Sequence, residues 1–240
     1  MNTTSNTVFI SGGSAGIGLE IAKQFSAKGN KVIINGRNKE RLENALKQLN
    51  NAIAIQGDLS VESERIRIAN ELKQNHSDLN VVINNAGEAY AYSLSESGSA
   101  FENAAKEINT NYIAIIHFTE LLLPVLKEKA NAAIVNVTSI VGLYPQGGLP
   151  TYSASKAALH AYTQLLRKSL SETNVNVFEV MPPLVNTDFS AGIGGANGIP
   201  PKKVADELLT AFENNQFDVP VGQTKMVYAV FQEAITKLNK

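Results

Sequence analysis

Short runs of β-branched and aliphatic residues alternate with longer runs of helical period along almost the whole chain, a rhythm that restricts the fold to a parallel sheet covered by helices on both faces. The strand-like runs are 8–10, 31–35, 52–56, 80–83, 132–138, 174–180 and 217–219. Helical patterns occupy 16–28, 39–49, 61–74, 101–128, 151–172, 201–213 and 226–238. At 240 residues and 44% hydrophobic content the chain can bury a full core, and no composition break divides it, so one α/β domain over 1–240 is expected. Two segments interrupt the rhythm, 87–98 and 184–200. In an open α/β sheet ligands bind beyond the carboxyl ends of the strands, where both segments would lie. The second contains SAGIGGANGIP and is expected to be a flexible loop over the substrate.

Charge and composition narrow the partners. The formal net charge is -1 with dispersed basic residues, which lacks the positive field of a nucleic-acid or anionic-membrane binder and leaves small molecules as the expected partners. The absence of cysteine excludes disulfides, thiolate catalysis and cysteine-held iron–sulfur clusters. His76, His117 and His160 have no metal-ligand spacing, so no metal is expected, and packing or hydrogen bonding is the role assigned to His117 and His160. The N-terminus MNTTSNTVFI has no basic segment followed by a long apolar stretch, and no apolar run reaches membrane-spanning length, so cytoplasm is the expected compartment.

Between the strand-like TVFI and the amphipathic LEIAKQF lies SGGSAGIG. Glycines at Gly12, Gly16 and Gly18 would permit a tight turn, close approach of phosphate, and tight helix–strand packing. The following helix start would offer free N–H groups to a pyrophosphate. No Gly-Lys-Ser/Thr follows, so this is not a nucleoside-triphosphatase phosphate loop. After the second strand-like run come Gly36 and Arg37, where a site for the unphosphorylated dinucleotide would carry a carboxylate. Arg37 could instead pair with a 2′-phosphate, so NADP is expected over NAD. Asp58, after the third run, is placed either to meet adenine or to cap the next helix.

The chemistry concentrates in TYSASKAAL. Tyr152 and Lys156 are four residues apart and fall on one helix face, which sets a proton donor beside a cation. Thirteen residues before Tyr152, Ser139 ends the apolar run AIVNVTS. Carbonyl reduction needs a hydride donor, a group that polarises the oxygen and an acid that protonates it. Tyr152 is the expected acid, Ser139 the polarising donor, and Lys156, with the positive nicotinamide of an oxidised cofactor, the charge that would lower the phenol from its ordinary value near ~10.

Taken together, these motifs resemble the short-chain dehydrogenase/reductase family, in its compact single-domain form, from about residue 7 to 221. The resemblance implies a doubly wound Rossmann fold with a seven-stranded, mostly parallel sheet. The family's Thr-Gly-x-x-x-Gly-x-Gly appears here with Ser11 in place of threonine, and its Asn-Asn-Ala-Gly is intact at Asn84, Asn85, Ala86 and Gly87. Its catalytic serine, tyrosine and lysine fall on Ser139, Tyr152 and Lys156, and its helical asparagine, which holds a water in a proton relay through the lysine, is placed on Asn109. Cofactor contacts are implied at Ser11, Gly12, Ser14, Gly16, Ile17, Gly18, Arg37, Asp58, Leu59, Asn85, Ala86, Gly87, Tyr152, Lys156, Pro182, Val185 and Thr187. Pro183 stands where the family usually has glycine and should stiffen that turn, and Pro-Pro-x-Val-Asn-Thr-Asp is similar to a bacterial branch of oxidoreductases. A homodimer or homotetramer through 101–128 and 151–172 is also implied.

The resulting expectation is hydride transfer between NADP(H) and a carbonyl or secondary alcohol. An epimerase or dehydratase using bound nicotinamide, and a non-catalytic dinucleotide sensor, are the alternatives. Glu88, Tyr90, Tyr144, Gln146, Leu149 and Phe189 are candidates for the substrate wall.

Overall fold

The computed structural model of the chain describes residues 1–96 and 98–238; Ser97, Asn239 and Lys240, which fall within the expected domain of 1–240, lie outside the described residues. Strands β1 (Thr7–Ser11), β2 (Lys31–Gly36), β3 (Ala52–Gln56), β4 (Val81–Asn84), β5 (Ala132–Val137), β6 (Val175–Met181) and β7 (Asp218–Pro220) form one sheet in the order β3-β2-β1-β4-β5-β6-β7. Every neighbouring pair is parallel. Strand order reverses direction between β1 and β4, and a crevice opens there because the flanking connections leave in opposite directions.

Side chains alternate across this pleated sheet, so each strand feeds two cores. Val8 and Ile10 of β1, Val32 and Ile34 of β2, and Phe178 and Val180 of β6 face α1 (Gly16–Ala27), α2 (Lys39–Leu46) and α7 (Pro201–Asn214) through Ile21, Phe25, Leu42, Leu208 and Phe212. Phe9, Ile33, Val82 and Ile134 point the other way, onto α3 (Glu62–Asn75) and α5 (Ala114–Lys127) through Ile68, Leu72, Phe118 and Leu122. Phe9 meets Phe118 at a ring separation of 5.1 Å. The central strands read as continuous apolar runs because both of their faces are covered.

Two departures from the sequence pattern bear on the site. The stretch read as one helix over 101–128 is three pieces: α4 (Ala100–Ile108), a π-helical turn at Asn109–Ile113, and α5. Hydrophobic period could not reveal this, because the widened turn is held by a buried amide, that of Asn111, which bonds outside its own helix. Residues 184–200 form two 3₁₀ turns, Asp188–Ile193 and Gly195–Asn197, whose ends are joined by a Val185–Ile199 bridge. Helix α6 (Pro150–Ser169) opens with Pro150 in its first turn, where a missing N–H costs nothing. Helix α8 (Thr224–Leu238) completes the described chain.

Phe178 is fully buried and stacks on Phe212 with ring centres 4.4 Å apart. Phe178→Ala should therefore cost about 3–5 kcal/mol, read as a lower denaturant midpoint with an unchanged slope.

Candidate active site

The site begins where β1 runs into α1. Gly12 and Gly16 have φ of +64° and +54°, the left-handed region that favours glycine. A Cβ on Gly18 would come within 2.3 Å of the Gly12 carbonyl oxygen, so the helix and turn can approach this closely only without one. Ala15 caps α1 with no side-chain bond, and the first-turn N–H groups face outward without an intrahelical acceptor. The Ser11 hydroxyl, where the family usually has threonine, accepts from the N–H groups of Asn85 (2.9 Å) and Ala86 (3.0 Å). Asn85 Nδ2 returns a bond to Ser11 O at 2.9 Å. The glycine turn and the loop after β4 are thereby one unit.

Toward the end of β2 two guanidinium groups face the cleft. Arg37 Nη1 lies 3.5 Å from Asp58 Oδ2, and Arg41 Nη2 lies 3.3 Å from Asp188 Oδ2. Asn38 caps α2 by accepting from the Arg41 N–H at 2.9 Å. Partial burial works to raise the Asp58 carboxyl, but bonds from the Ser60 hydroxyl and N–H, with Arg37 nearby, leave it below its ordinary value. Arg65 donates to Leu59 O (2.8 Å) and Ser60 O (3.0 Å) and, through Nε, to His117 Nδ1 at 3.2 Å. Asn109 Nδ2 donates to Ser60 O at 2.9 Å. The Asn109 amide is thus tied to this wall, and Asn109 does not line the cleft, whereas Asn111, two residues on, is buried.

Ser139 follows β5 and accepts from the Val141 N–H at 3.3 Å to start a short 3₁₀ turn. Tyr152 and Lys156 sit on consecutive turns of α6, both buried, with Lys156 Nζ 5.7 Å from the Tyr152 ring centre. Nζ donates to Val137 O at 2.7 Å. Burial pulls Lys156 down to about 8. Burial also pushes the Tyr152 phenol above its ordinary value; hydrogen bonding by Ser139 opposes the rise and the charge of Glu107 adds to it. Among the protein's own groups, desolvation outweighs the bond from Ser139. Asn111 is buried in the π turn, accepts from Glu88 N (2.8 Å), and donates to Glu88 O (2.8 Å) and Ser155 Oγ (2.9 Å). A Cβ on Gly87 would sit 3.2 Å from Asn111 Oδ1 and 3.8 Å from Lys156 Nζ, so Gly87 lets the loop pass between them.

A cleft of about 1220 Å³ joins these groups. Its wall includes all the expected catalytic and cofactor residues except Gly18 and Asn109, which lie behind it, and adds Arg41. Of the substrate candidates, Glu88, Gln146, Leu149 and Phe189 line it, whereas Tyr90 and Tyr144 do not. The Phe189 ring stands 6.1 Å from that of Tyr152, and Thr187 lies against Gly16, so 184–200 reaches both ends of the cleft. Pro182 continues the wall, its carbonyl accepting from Ile140 N at 2.9 Å, beside the substituted Pro183.

Residues 6–197 match the family described as short chain dehydrogenase. The chain belongs to this family. It is an oxidoreductase with a Rossmann-type fold. The uncharacterized oxidoreductase DltE of Bacillus subtilis is 38% identical over 207 residues, 86% of this chain and 82% of the relative. A short-chain dehydrogenase from Sphingobium yanoikuyae in complex with NADPH superposes with a TM-score of 0.87 at 26% identity, covering 97% of this chain and 94% of the other. One from Burkholderia phymatum in complex with NAD shares the fold at a TM-score of 0.89 and 18% identity, over 100% and 97%.

Three residues of this short-chain dehydrogenase escaped the sequence reading. Arg41 lies in the first turn of α2, just after Arg37 and its N-cap Asn38, and its side chain lines the cleft. Asn111 and Glu107 are polar residues on a helix face that turns inward, a signal visible only once the π turn is known.

Because Gly18 has no room for a methyl group, Gly18→Ala should destabilise the fold by about 1–3 kcal/mol and abolish the rise in melting temperature produced by a dinucleotide.

Proposed function

We propose that this chain reduces a carbonyl compound, and oxidises the corresponding secondary alcohol, using NADP(H). The observation that carries the reading is the convergence of Ser139, Tyr152 and Lys156 on the one cleft that starts at the uncapped turn of α1. The cleft fits a dinucleotide: free N–H groups for phosphate at one end, paired guanidinium groups beyond β2, and buried acid–base groups at the other. NADPH, when bound, supplies the hydride for the carbonyl carbon.

The protein's own residues do the rest. The turn at Ser11, Gly12, Ser14, Gly16 and Ile17 receives the pyrophosphate on backbone N–H groups. Asp58 and Leu59 border adenine, Arg37 and Arg41 receive the 2′-phosphate through charge-assisted bonds, and Pro182, Val185 and Thr187 border the nicotinamide. The lack of a carboxylate directly after β2, with Arg37 in its place, supports the phosphorylated cofactor over NAD. Asn85, Ala86 and Gly87 with Tyr152 and Lys156 flank the ribose. Ser139 donates a hydrogen bond to the substrate oxygen. Tyr152 transfers its phenolic proton to that oxygen, and Lys156 stabilises the phenolate left behind. Asn111 is the better candidate for the relay position that the motif placed at Asn109, since a Cβ on Gly87 would lie 3.2 Å from its Oδ1 and 3.8 Å from Lys156 Nζ.

In this reading 1–240 acts as one oxidoreductase unit with 184–200 covering a small-molecule substrate. Phe101, Ile113 and Leu165 expose apolar surface on α4, the π turn and α6, which supports a homodimer or homotetramer through these helices. No helix among the described residues is long and apolar enough to cross a membrane, in keeping with a cytoplasmic enzyme. A sensor or a nicotinamide-dependent epimerase gains no separate support from the site.

The test is NADPH oxidation with a panel of aldehydes, diketones and quinones. Tyr152→Phe should lower turnover by roughly 10²–10⁴-fold; undiminished turnover would overturn the reading. Arg37→Ala should weaken NADPH binding by about tenfold or more and leave NADH binding unchanged, as read by titration calorimetry.

A further inference from the structure

Glu107 is wholly buried in α4, lies outside the cleft wall, and forms no ion pair among the described residues. Its two carboxylate oxygens serve different elements. Oε1 accepts from the Tyr90 N–H at 2.7 Å, on the loop after β4. Oε2 accepts from the hydroxyl of Thr151, the residue before Tyr152 on α6. Thr151 Oγ1 lies 2.7 Å from the Tyr92 hydroxyl, and the Tyr92 N–H donates to Gly148 O at 3.2 Å.

Proton counting gives this chain a direction. An ionised carboxylate only accepts, and threonine has a single hydroxyl proton. With Thr151 donating to Glu107, Tyr92 must donate to Thr151. A neutral Glu107 would reverse both bonds, while the Tyr90 N–H needs an acceptor in either case.

We propose that Glu107 is a positioning residue for the acid–base step: it clamps the loop at Tyr90 to the first turn of α6 at Thr151, and it sets a buried negative charge near Tyr152 that extends carbonyl reduction toward alkaline pH. The inference rests on Tyr152 being the acid that protonates the substrate oxygen. In that step the Tyr152 O–H bond breaks, its proton forms the new O–H bond of the alcohol, and the hydride comes from NADPH, so charge and atoms balance. A nearby anion disfavours the phenolate, and Glu107 does act in that direction on Tyr152. The groups facing this charge are Glu88, Tyr90 and Tyr92 from the loop and Tyr152 from α6, with Lys106 on its own helix placing Nζ 5.7 Å from the Tyr90 ring centre. Burial raises the Glu107 carboxyl and Glu88 raises it further, while bonds from Thr151 and Tyr90 hold it down.

Glu107→Gln tests the charge with the clamp retained, because the amide oxygen can accept from Tyr90 and the amide nitrogen can donate to Thr151. The alkaline limb of kcat/KM for NADPH-dependent reduction should move about one pH unit toward acid. The ultraviolet absorbance of tyrosinate, taken as the difference from Tyr152→Phe, should shift the same way in the free protein and needs no substrate. Limbs that superimpose on the wild type would overturn the proposal. So would a wild-type Tyr152 titrating at or below the ordinary ~10, a measurement that stands even if the glutamine variant does not fold. Full turnover in Tyr152→Phe would instead defeat the proposed chemistry itself, which keeps the two failures distinct.

Discussion

Because β1 pairs with β4 in parallel, from Val8 opposite Val81 to Ile10 opposite Ile83, the two strands end side by side and their loops leave the sheet at the same level. Everything at the site inherits that placement. The Ser11 hydroxyl can collect the N–H groups of Asn85 and Ala86 only because its strand stops where β4 stops. That tie fixes Asn85 against the Gly12 and Gly18 backbone, where the approach is too close for any side chain. The β4–β5 and β5–β6 pairings then carry the same level across to Ser139 and Pro182. A slip of one residue in β1 would exchange its two core faces and also separate the phosphate turn from the acid–base groups.

Burial at the far end of the cleft has an electrostatic consequence. Lys156 and Tyr152 are removed from water together, and desolvation favours the neutral form of each. In the protein by itself, burial thus works against the phenolate and against the ammonium alike. Helix α6 holds the two groups together, since its side chains at 152 and 156 share a face by helical geometry alone.

The layers of the fold were legible because both signals behind them are local. Near-continuous burial in Thr7–Ser11 and Lys31–Gly36, covered on both faces, and helical period in α1 and α7 follow from which faces each element must hide. Tyr152, Lys156 and Ser139 were legible for a similar reason, as two of them are set by one helix and the third by the end of one strand. The π turn around Asn109 and Asn111 was not legible, because a single inserted residue in a helix leaves hydrophobic composition untouched while changing which side chains look inward. The state of Tyr152 was also beyond the sequence, since desolvation depends on the whole shell around a group and not on its neighbour four residues away. The segment 184–200 read as glycine-rich and loose, yet the Val185–Ile199 bridge and the bonds between Thr187 and Ser190 give it defined turns.

The interrupted helix explains how one element serves three walls. Glu107 reaches the loop at Tyr90 and the start of α6, Asn109 reaches Ser60 on the adenine side, and Asn111 reaches Glu88 and Ser155 beside Lys156. In a regular α-helix each residue turns about 100° from the last, so residues two apart point to nearly opposite sides and residues four apart nearly coincide. The π turn widens that spacing, letting 107 and 111 bond to different parts of the same loop while 109 stays on the other side. Removing the inserted residue would rotate every side chain before it relative to α5 by about 100°. Because α5 is anchored in the sheet by Phe118 and Leu122, the displacement would fall on α4 and on the loop that lines the cleft. The irregular helix is therefore tied to the cleft: it lets the wall at Ser60 and the wall beside Lys156 be held by a single span of chain.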